Sequence, residues 1–440
     1  MLSVCKFGGS SVASASQFKK IKKIVESDPA RTVIVVSAPG KRMSTEAKLT
    51  DLFYAVYDLA SRAMDFSKPW DLICDRFDEI AQSLQLTTDV SPDLLEIETF
   101  LKTKPKEITV DFVVSRGEYL SAKLMAEHLG FRFIDAFDLI TVDIHFRVNS
   151  EAAQQIRAAI SDGEKIVLPG FYAKNHKGVL KTFSRGGSDI TGAILANALN
   201  ADVYENWTDV SGLLMADPRI VDSPAPMESV SYREIRELAY SGANVFHDDA
   251  IAPCKDKNIP IQIKNTNRPE DIGTTIGPVP ETPLRVVTGI AGRKNFALIY
   301  LEKNMMNKER GFGRKVLGIL ESQNVSYEHS PTGIDSMSIV VDQTDLEEVE
   351  EIILEEFERQ LLPDVVKIVK DLALIATVGH GMAHRIGVAA TLFQKLAQEN
   401  INIRIIDQGS SEVNIIVGVD AIDFEKSIQS IYDGFVELAL

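Results

Sequence analysis

Two hydrophobic periods take turns along the first two-thirds of the chain. Residues 2–7 read as a strand that begins almost at the first residue, and residues 14–25 as a helix with Phe18, Ile21, Ile24 and Val25 on its apolar side. Residues 32–37 form a continuous β-branched run, the signature of a strand buried on both faces. Residues 64–103 are polar and amphipathic, punctuated by Pro69 and Pro92, and predict a helical excursion covering one edge of the sheet. Residues 112–118 lead into a helix carrying Leu120, Leu124 and Leu129 and stopped by Gly130, which places Glu118 at a helix start. Residues 131–136, 165–168, 201–207 and 258–264 continue the strands. This alternation predicts an α/β fold with a parallel sheet and right-handed crossovers.

The pattern then changes. Pro269, Gly273, Gly277, Pro278, Pro280 and Pro283 mark a linker, with a boundary expected near residue 280. Beyond it, strands at 296–301, 325–328, 336–341 and 365–369 and helices at 314–320 and 346–357 spell βαββαβ. Residues 372–378, 386–396, 401–406, 413–417 and 422–432 repeat that order. Two ferredoxin-like units are expected, at about 296–370 and 371–440.

Composition adds exclusions. The 440 residues are 45% apolar and 25% charged, as in ordinary globular proteins. A net charge of −16 argues against nucleic acid or an anionic membrane surface as the main partner, so small anionic ligands need local positive sites. Cys5, Cys74 and Cys254 are too sparse for a disulfide framework or a metal pattern. Lys6 and two glycines interrupt the only apolar N-terminal stretch, so neither a signal peptide nor a membrane span is expected, and the location expected is cytoplasmic.

The candidate chemistry lies where predicted strands end. Lys6-Phe7-Gly8-Gly9-Ser10-Ser11 offers flexible backbone donors and one ammonium, a phosphate-binding arrangement without Walker spacing. Taken alone, such a turn is a weak signal. Thr182-Phe183-Ser184-Arg185-Gly186-Gly187-Ser188-Asp189 opens a helix with a glycine pair, a place for an anion, where Arg185 adds a cation and Asp189 a carboxylate. The plainer alternative is a helix capped by Ser188 or Asp189. Thr208-Asp209-Val210-Ser211-Gly212 ends another strand, consistent with one cleft fed by several strands.

These motifs, with Ser115-Arg116-Gly117-Glu118 and Asp217-Pro218-Arg219, occur in the order and spacing of the aspartokinases, which the chain resembles over nearly its whole length. The resemblance implies a carbamate-kinase-like amino-acid kinase domain at 1–280 and tandem ACT domains at 281–440, the second completed by about 284–294 and a last strand at 435–440. It implies ATP- and Mg²⁺-dependent phosphorylation of the side-chain carboxylate of L-aspartate, the first step towards lysine, threonine and methionine. By that resemblance Lys6 and Asp189 are catalytic, and Lys6, Gly8, Gly9, Ser10, Thr208, Asp209 and Arg219 hold ATP. Glu118 takes the substrate amine, Arg185 a substrate carboxylate, and Thr50 and Ser188 bond the substrate. No metal ligand is assigned. Leu214 and Asn244 stand where known members have tyrosine and lysine, which alters adenine stacking and one phosphate contact.

Met306, Glu309, Gly311 and Phe312 lie in a strand-to-helix loop resembling the lysine-sensing loop of lysine-inhibited members, with Ser326 and Glu328 across the sheet. The resemblance thus implies lysine as effector and a homodimer or homotetramer formed through the ACT domains. The alternatives are a catalytically silent amino-acid sensor, against which the intact Lys6 and Asp189 argue, and a kinase acting on glutamate, against which the ACT tandem argues.

Overall fold

The computed structural model describes residues 1–104, 107–183, 186–243, 248–279 and 285–436. They divide into two compact units: Met1–Leu213 with Glu228–Tyr232 and Phe246–Pro278, and Leu214–Met227 with Arg233–Val245 and Val279–Leu440. The second unit thus draws in chain from well before residue 280. No helix among the described residues is long and apolar enough to cross a membrane.

The first unit is built on an eight-stranded sheet in the order Ser229–Ser231, Thr274–Gly277, Ile261–Asn265, Val203–Thr208, Ser3–Phe7, Arg31–Val36, Ile166–Pro169, Arg132–Phe133. From Ile261–Asn265 to Arg132–Phe133 every pairing is parallel. Parallel strands require covered faces, and the central ones meet that need: every residue of Ser3–Phe7 is buried, as are five of the six in Arg31–Val36. Helices Ala15–Glu26, Leu49–Ser61, Ser67–Leu84, Ser91–Thr103 and Val110–Leu129 supply Phe18, Ile21, Phe53, Trp70, Phe77, Ile97, Val113 and Leu120 to one core. The parallel arrangement brings the carboxyl ends of five strands to one edge, and with them the loops that follow Phe7, Val36, Pro169, Thr208 and Asn265. Thr141–Val142, Tyr172–Asn175 and Leu180–Thr182 form a separate small sheet.

One helix differs from expectation. Val110–Leu129 starts eight residues before Glu118, capped by the Thr109 hydroxyl, which accepts from the Phe112 amide. Residues 113–118 are all buried, so the apolar run there comes from a helix enclosed on every side rather than from a strand.

In the second unit the two ferredoxin-like units share one six-stranded sheet, ordered Tyr327–His329, Ser336–Asp342, Gly289–Glu302, Val365–Val378, Asn414–Asp420, Ile405–Asp407. The two long strands are each continuous where the sequence reads as two. Gly289–Glu302 serves one half through residues 289–294 and the other through 296–302, and Val365–Val378 pairs antiparallel along it. Both change register near the middle, where Asn295 and Asp371 take φ of 77° and 57°. The expected last strand is corrected in part: Phe435 and Val436 continue the helix Phe424–Val436, and residues 437–440 lie outside the described residues.

Candidate active site

Register brings the first pair of functional groups together. On the central strand Lys6 lies directly opposite Asn206 of the neighbouring parallel strand, so the two side chains share a face. Helix Gly187–Leu199 begins over that face with Asp189 in its first turn. The Asp189 Oδ1 accepts from Lys6 Nζ at 2.6 Å and from Asn206 Nδ2 at 2.8 Å, and the Tyr204 hydroxyl donates to the Asp189 carbonyl at 3.1 Å. Gly186 caps this helix at φ 75°, a left-handed conformation that a side chain would strain. Lys6 is 8% exposed, so the ammonium is fixed by its partners rather than by solvent. Ser188, in the same turn, is buried.

The turns after the first two strands abut each other. The Gly40 amide donates to the Gly9 carbonyl at 2.8 Å, and a Cβ on Gly40 would stand 2.6 Å from the Gly9 carbonyl carbon, so only glycine permits this approach. The Gly8 amide bonds the Trp207 carbonyl at 2.9 Å, and Gly9 and Ser10 enter a short 3-10 turn whose Ser11 hydroxyl meets the Thr266 hydroxyl at 2.7 Å. Thr50 sits half-buried in the first turn of Leu49–Ser61.

Glu118 completes the cleft from the middle of its helix. Its Oε2 is buried with no hydrogen-bond partner. Burial pushes this carboxyl up to about 8, against the opposing pull of the Ala38 and Glu118 amides, Arg116 and Lys6. A buried, unpartnered carboxylate oxygen close enough to Lys6 to feel its charge fits an incoming ammonium.

Thr208 ends its strand with its carbonyl bound by the Thr266 amide at 2.8 Å, and Asp209 follows in the exposed turn, its carboxylate accepting from the Thr208 hydroxyl. Arg219 belongs to the second unit and is exposed, with its Nε 3.0 Å from the Asp217 carboxylate. Leu214 is 36% exposed; Arg185 and Asn244 lie outside the described residues. Among the described residues no group of three or more His, Cys, Asp or Glu could hold a metal.

Sequence reasoning missed Asn206, which fixes Asp189, and Arg76 and Glu46, which grip the turn after the second strand. Strand alignment could have found Asn206 opposite Lys6; nothing local marks the other two.

In the second unit, Gly311 caps helix Phe312–Ser322 at φ 79°, Met306 and Phe312 are buried, and Ser326 is exposed before the edge strand. Glu309 is held between Lys303 at 2.6 Å and Lys315 at 2.7 Å, which keep its carboxyl below its usual range. Glu328 is already occupied: Arg293 Nη2 lies 3.1 Å from its Oε1, and burial together with the nearby Glu328 charge pushes the Tyr240 phenol up to about 12.

A model of the amino acid kinase family matches residues 1–265, and one of the ACT domain matches residues 375–435. The chain is 38% identical to aspartokinase 3 of Bacillus subtilis, covering 99% of this chain and 98% of that protein. Its fold is similar to the aspartate kinase of Clostridium acetobutylicum, with TM-score 0.89, 45% identity and 99% of each chain covered. Aspartokinase III of Escherichia coli is similar at TM-score 0.77 and 26% identity in complex with aspartate and ADP, and at 0.74 and 27% with lysine and aspartate, again over 99% of each chain.

Proposed function

The chain belongs to the aspartokinases of the amino acid kinase family, and on that premise we propose that it transfers the γ-phosphoryl group of ATP to the side-chain carboxylate of L-aspartate, giving 4-phospho-L-aspartate and ADP. The observation that carries the reading is the meeting of Lys6, Asp189 and Asn206 at the carboxyl edge of the sheet, beside the unpartnered oxygen of Glu118. A carboxylate oxygen of aspartate forms the new bond to phosphorus while the bond to the bridging oxygen of ADP breaks. No base is needed, because that carboxylate is already ionised at neutral pH.

Catalysis of such a transfer is positioning and charge stabilisation. Lys6 supplies the ammonium that neutralises charge on the moving phosphoryl group, and Asp189 with Asn206 aims it. Gly8, Gly9 and Ser10 offer backbone donors to the phosphates, and Thr208, Asp209 and Arg219 serve the nucleotide. Glu118 takes the α-ammonium, Arg185 pairs in bidentate fashion with a carboxylate, and Thr50 and Ser188 bond the substrate. Mg²⁺ bound with ATP supplies additional charge neutralisation.

The catalytic domain in this reading spans 1–280 and the tandem ACT region 281–440. Lysine is the proposed feedback effector, bound by the 306–312 loop with Ser326 and Glu328, in a cytoplasmic homodimer or homotetramer at the first step of lysine, threonine and methionine biosynthesis. Because Arg293 holds Glu328, an effector amine has to displace it. The test is ADP release with aspartate or glutamate as acceptor, with and without lysine. Aspartate-dependent release suppressed by lysine supports the whole reading; release with glutamate alone would redirect it to another amino-acid kinase.

A further inference from the structure

Helix Ser67–Leu84 lies in the helical excursion and contributes no residue to the cleft described above. Yet it buries a guanidinium, that of Arg76, which is 7% exposed. Nη1 donates to the Gly40 carbonyl at 2.9 Å and to the Ala13 carbonyl at 3.4 Å, and Nη2 donates to Glu46 Oε2 at 2.9 Å. One fork therefore joins the segment after the first strand to the segment after the second.

Glu46 is in turn held by Arg42, which donates from its backbone amide at 2.9 Å and from Nε at 2.8 Å, and these bonds keep the Glu46 carboxyl down near about 2. Arg42 also reaches Glu79, which lies on the same helix as Arg76. The helix thus grips residues 40–46 at two points.

What that turn does makes the grip matter. The Ala38 methyl packs against Gly117, the residue before Glu118, where a Cβ would stand 2.8 Å from it, and the Gly40 amide donates to the Gly9 carbonyl at 2.8 Å. The Ala38-Pro39-Gly40 turn therefore abuts both the helix turn that carries Glu118 and the glycine turn that follows Lys6. Displacing it moves two halves of the site at once.

We infer that Arg76 is a positioning residue for phosphoryl transfer: its guanidinium clamps the Ala38–Gly40 turn from behind, holding Glu118 and the Gly8-Gly9 backbone in mutual register. The inference rests on the reading of the Lys6 cleft as the phosphoryl-transfer site. An arginine suits the task because its planar fork bonds a carbonyl and a carboxylate at once, which a single ammonium does less well. Small displacements of reacting groups are costly, on the order of 10²-fold for ~1 Å.

The test compares Arg76→Met, Arg76→Lys and Glu46→Gln in the full chain, reading kcat, the KM for aspartate and for ATP, and the unfolding midpoint. Arg76→Met is expected to lower kcat by about tenfold or more and to raise both KM values, with Arg76→Lys recovering part of each loss and Glu46→Gln, which leaves the carbonyl contacts intact, falling between Arg76→Lys and the parent. Hydrogen exchange over residues 38–48 should quicken in Arg76→Met. Parental kcat and KM values in Arg76→Met, with only the unfolding midpoint lowered, would show a role in stability alone and overturn the inference. Should Arg76→Met not fold, parental kinetics in Arg76→Lys would overturn it equally. An inactive parent would instead defeat the reading of the cleft, so the two failures are distinguishable.

Discussion

Lys6 and Asp189 meet at 2.6 Å although 183 positions separate them in the chain, because parallel register and a helix start deliver them to one point. Asn206, opposite Lys6, bonds the same carboxylate oxygen. Lys6→Ala and Asp189→Asn are each expected to lower kcat by about 10²-fold or more, the cost of losing a preorganised charge at the reacting group. Asn206→Ala, which leaves the ion pair but frees its aim, should cost less. Steady-state kinetics on folded variants check the order; an unimpaired Lys6→Ala would remove it from the catalytic set.

Glu118 sets a pH dependence. Its carboxyl stands at about 8 against an ordinary 4.5, raised chiefly by burial. The folded protein therefore binds this proton more tightly than the unfolded chain, a stabilisation complete below 4.5 and lost as pH rises through about 8. Binding an ammonium needs the opposite, charged form. The kcat/KM for aspartate should thus climb as pH approaches about 8, with proton release on binding. Glu118→Gln should raise the KM for aspartate, abolish that limb, and unfold less readily than the parent at alkaline pH. A flat profile in the parent would contradict the role.

The second unit offers a gentle test of effector competition. Tyr240→Phe removes a hydroxyl beside Glu328, an interaction worth at most ~1 kcal/mol or about a fivefold change in affinity. The concentration of lysine giving half inhibition is expected to fall by that factor, whereas Glu328→Ala should relieve inhibition and keep basal activity. Inhibition curves unchanged in both variants would move the effector site elsewhere.

Beneath the sheet, Arg31 donates from Nε and Nη2 to the two oxygens of Glu205 at 2.8 and 3.1 Å, and the Trp207 indole adds a bond at 2.9 Å. Both charged side chains are nearly enclosed, 12% and 6% exposed. Breaking such a pair strands a charge, so Glu205→Ala should cost about 3–5 kcal/mol in denaturant unfolding. A loss within experimental error would show that Arg31 finds water instead.

The strand and turn that carry Lys6, Gly8 and Gly9 were legible because a short, mostly apolar run ending in paired glycines and followed by a helical period has few other readings. Glu118 was harder to place, since a helix buried all round shows the same run as a strand. Arg293, Lys294 and Asn295 look like a connection, yet they lie inside one long strand that is exposed and irregular there. The Lys6–Asn206 pairing and the Arg76 clamp depend on register and on a helix that returns from far along the chain, which local pattern does not encode.

The most direct test of the account is trapping of the acyl phosphate with hydroxylamine, using ATP, Mg²⁺ and aspartate, for the parent beside folded Asp189→Asn. The account predicts ATP-dependent aspartyl hydroxamate from the parent and about 10²-fold less from the variant. No hydroxamate from the parent, or an undiminished yield from Asp189→Asn, would contradict it.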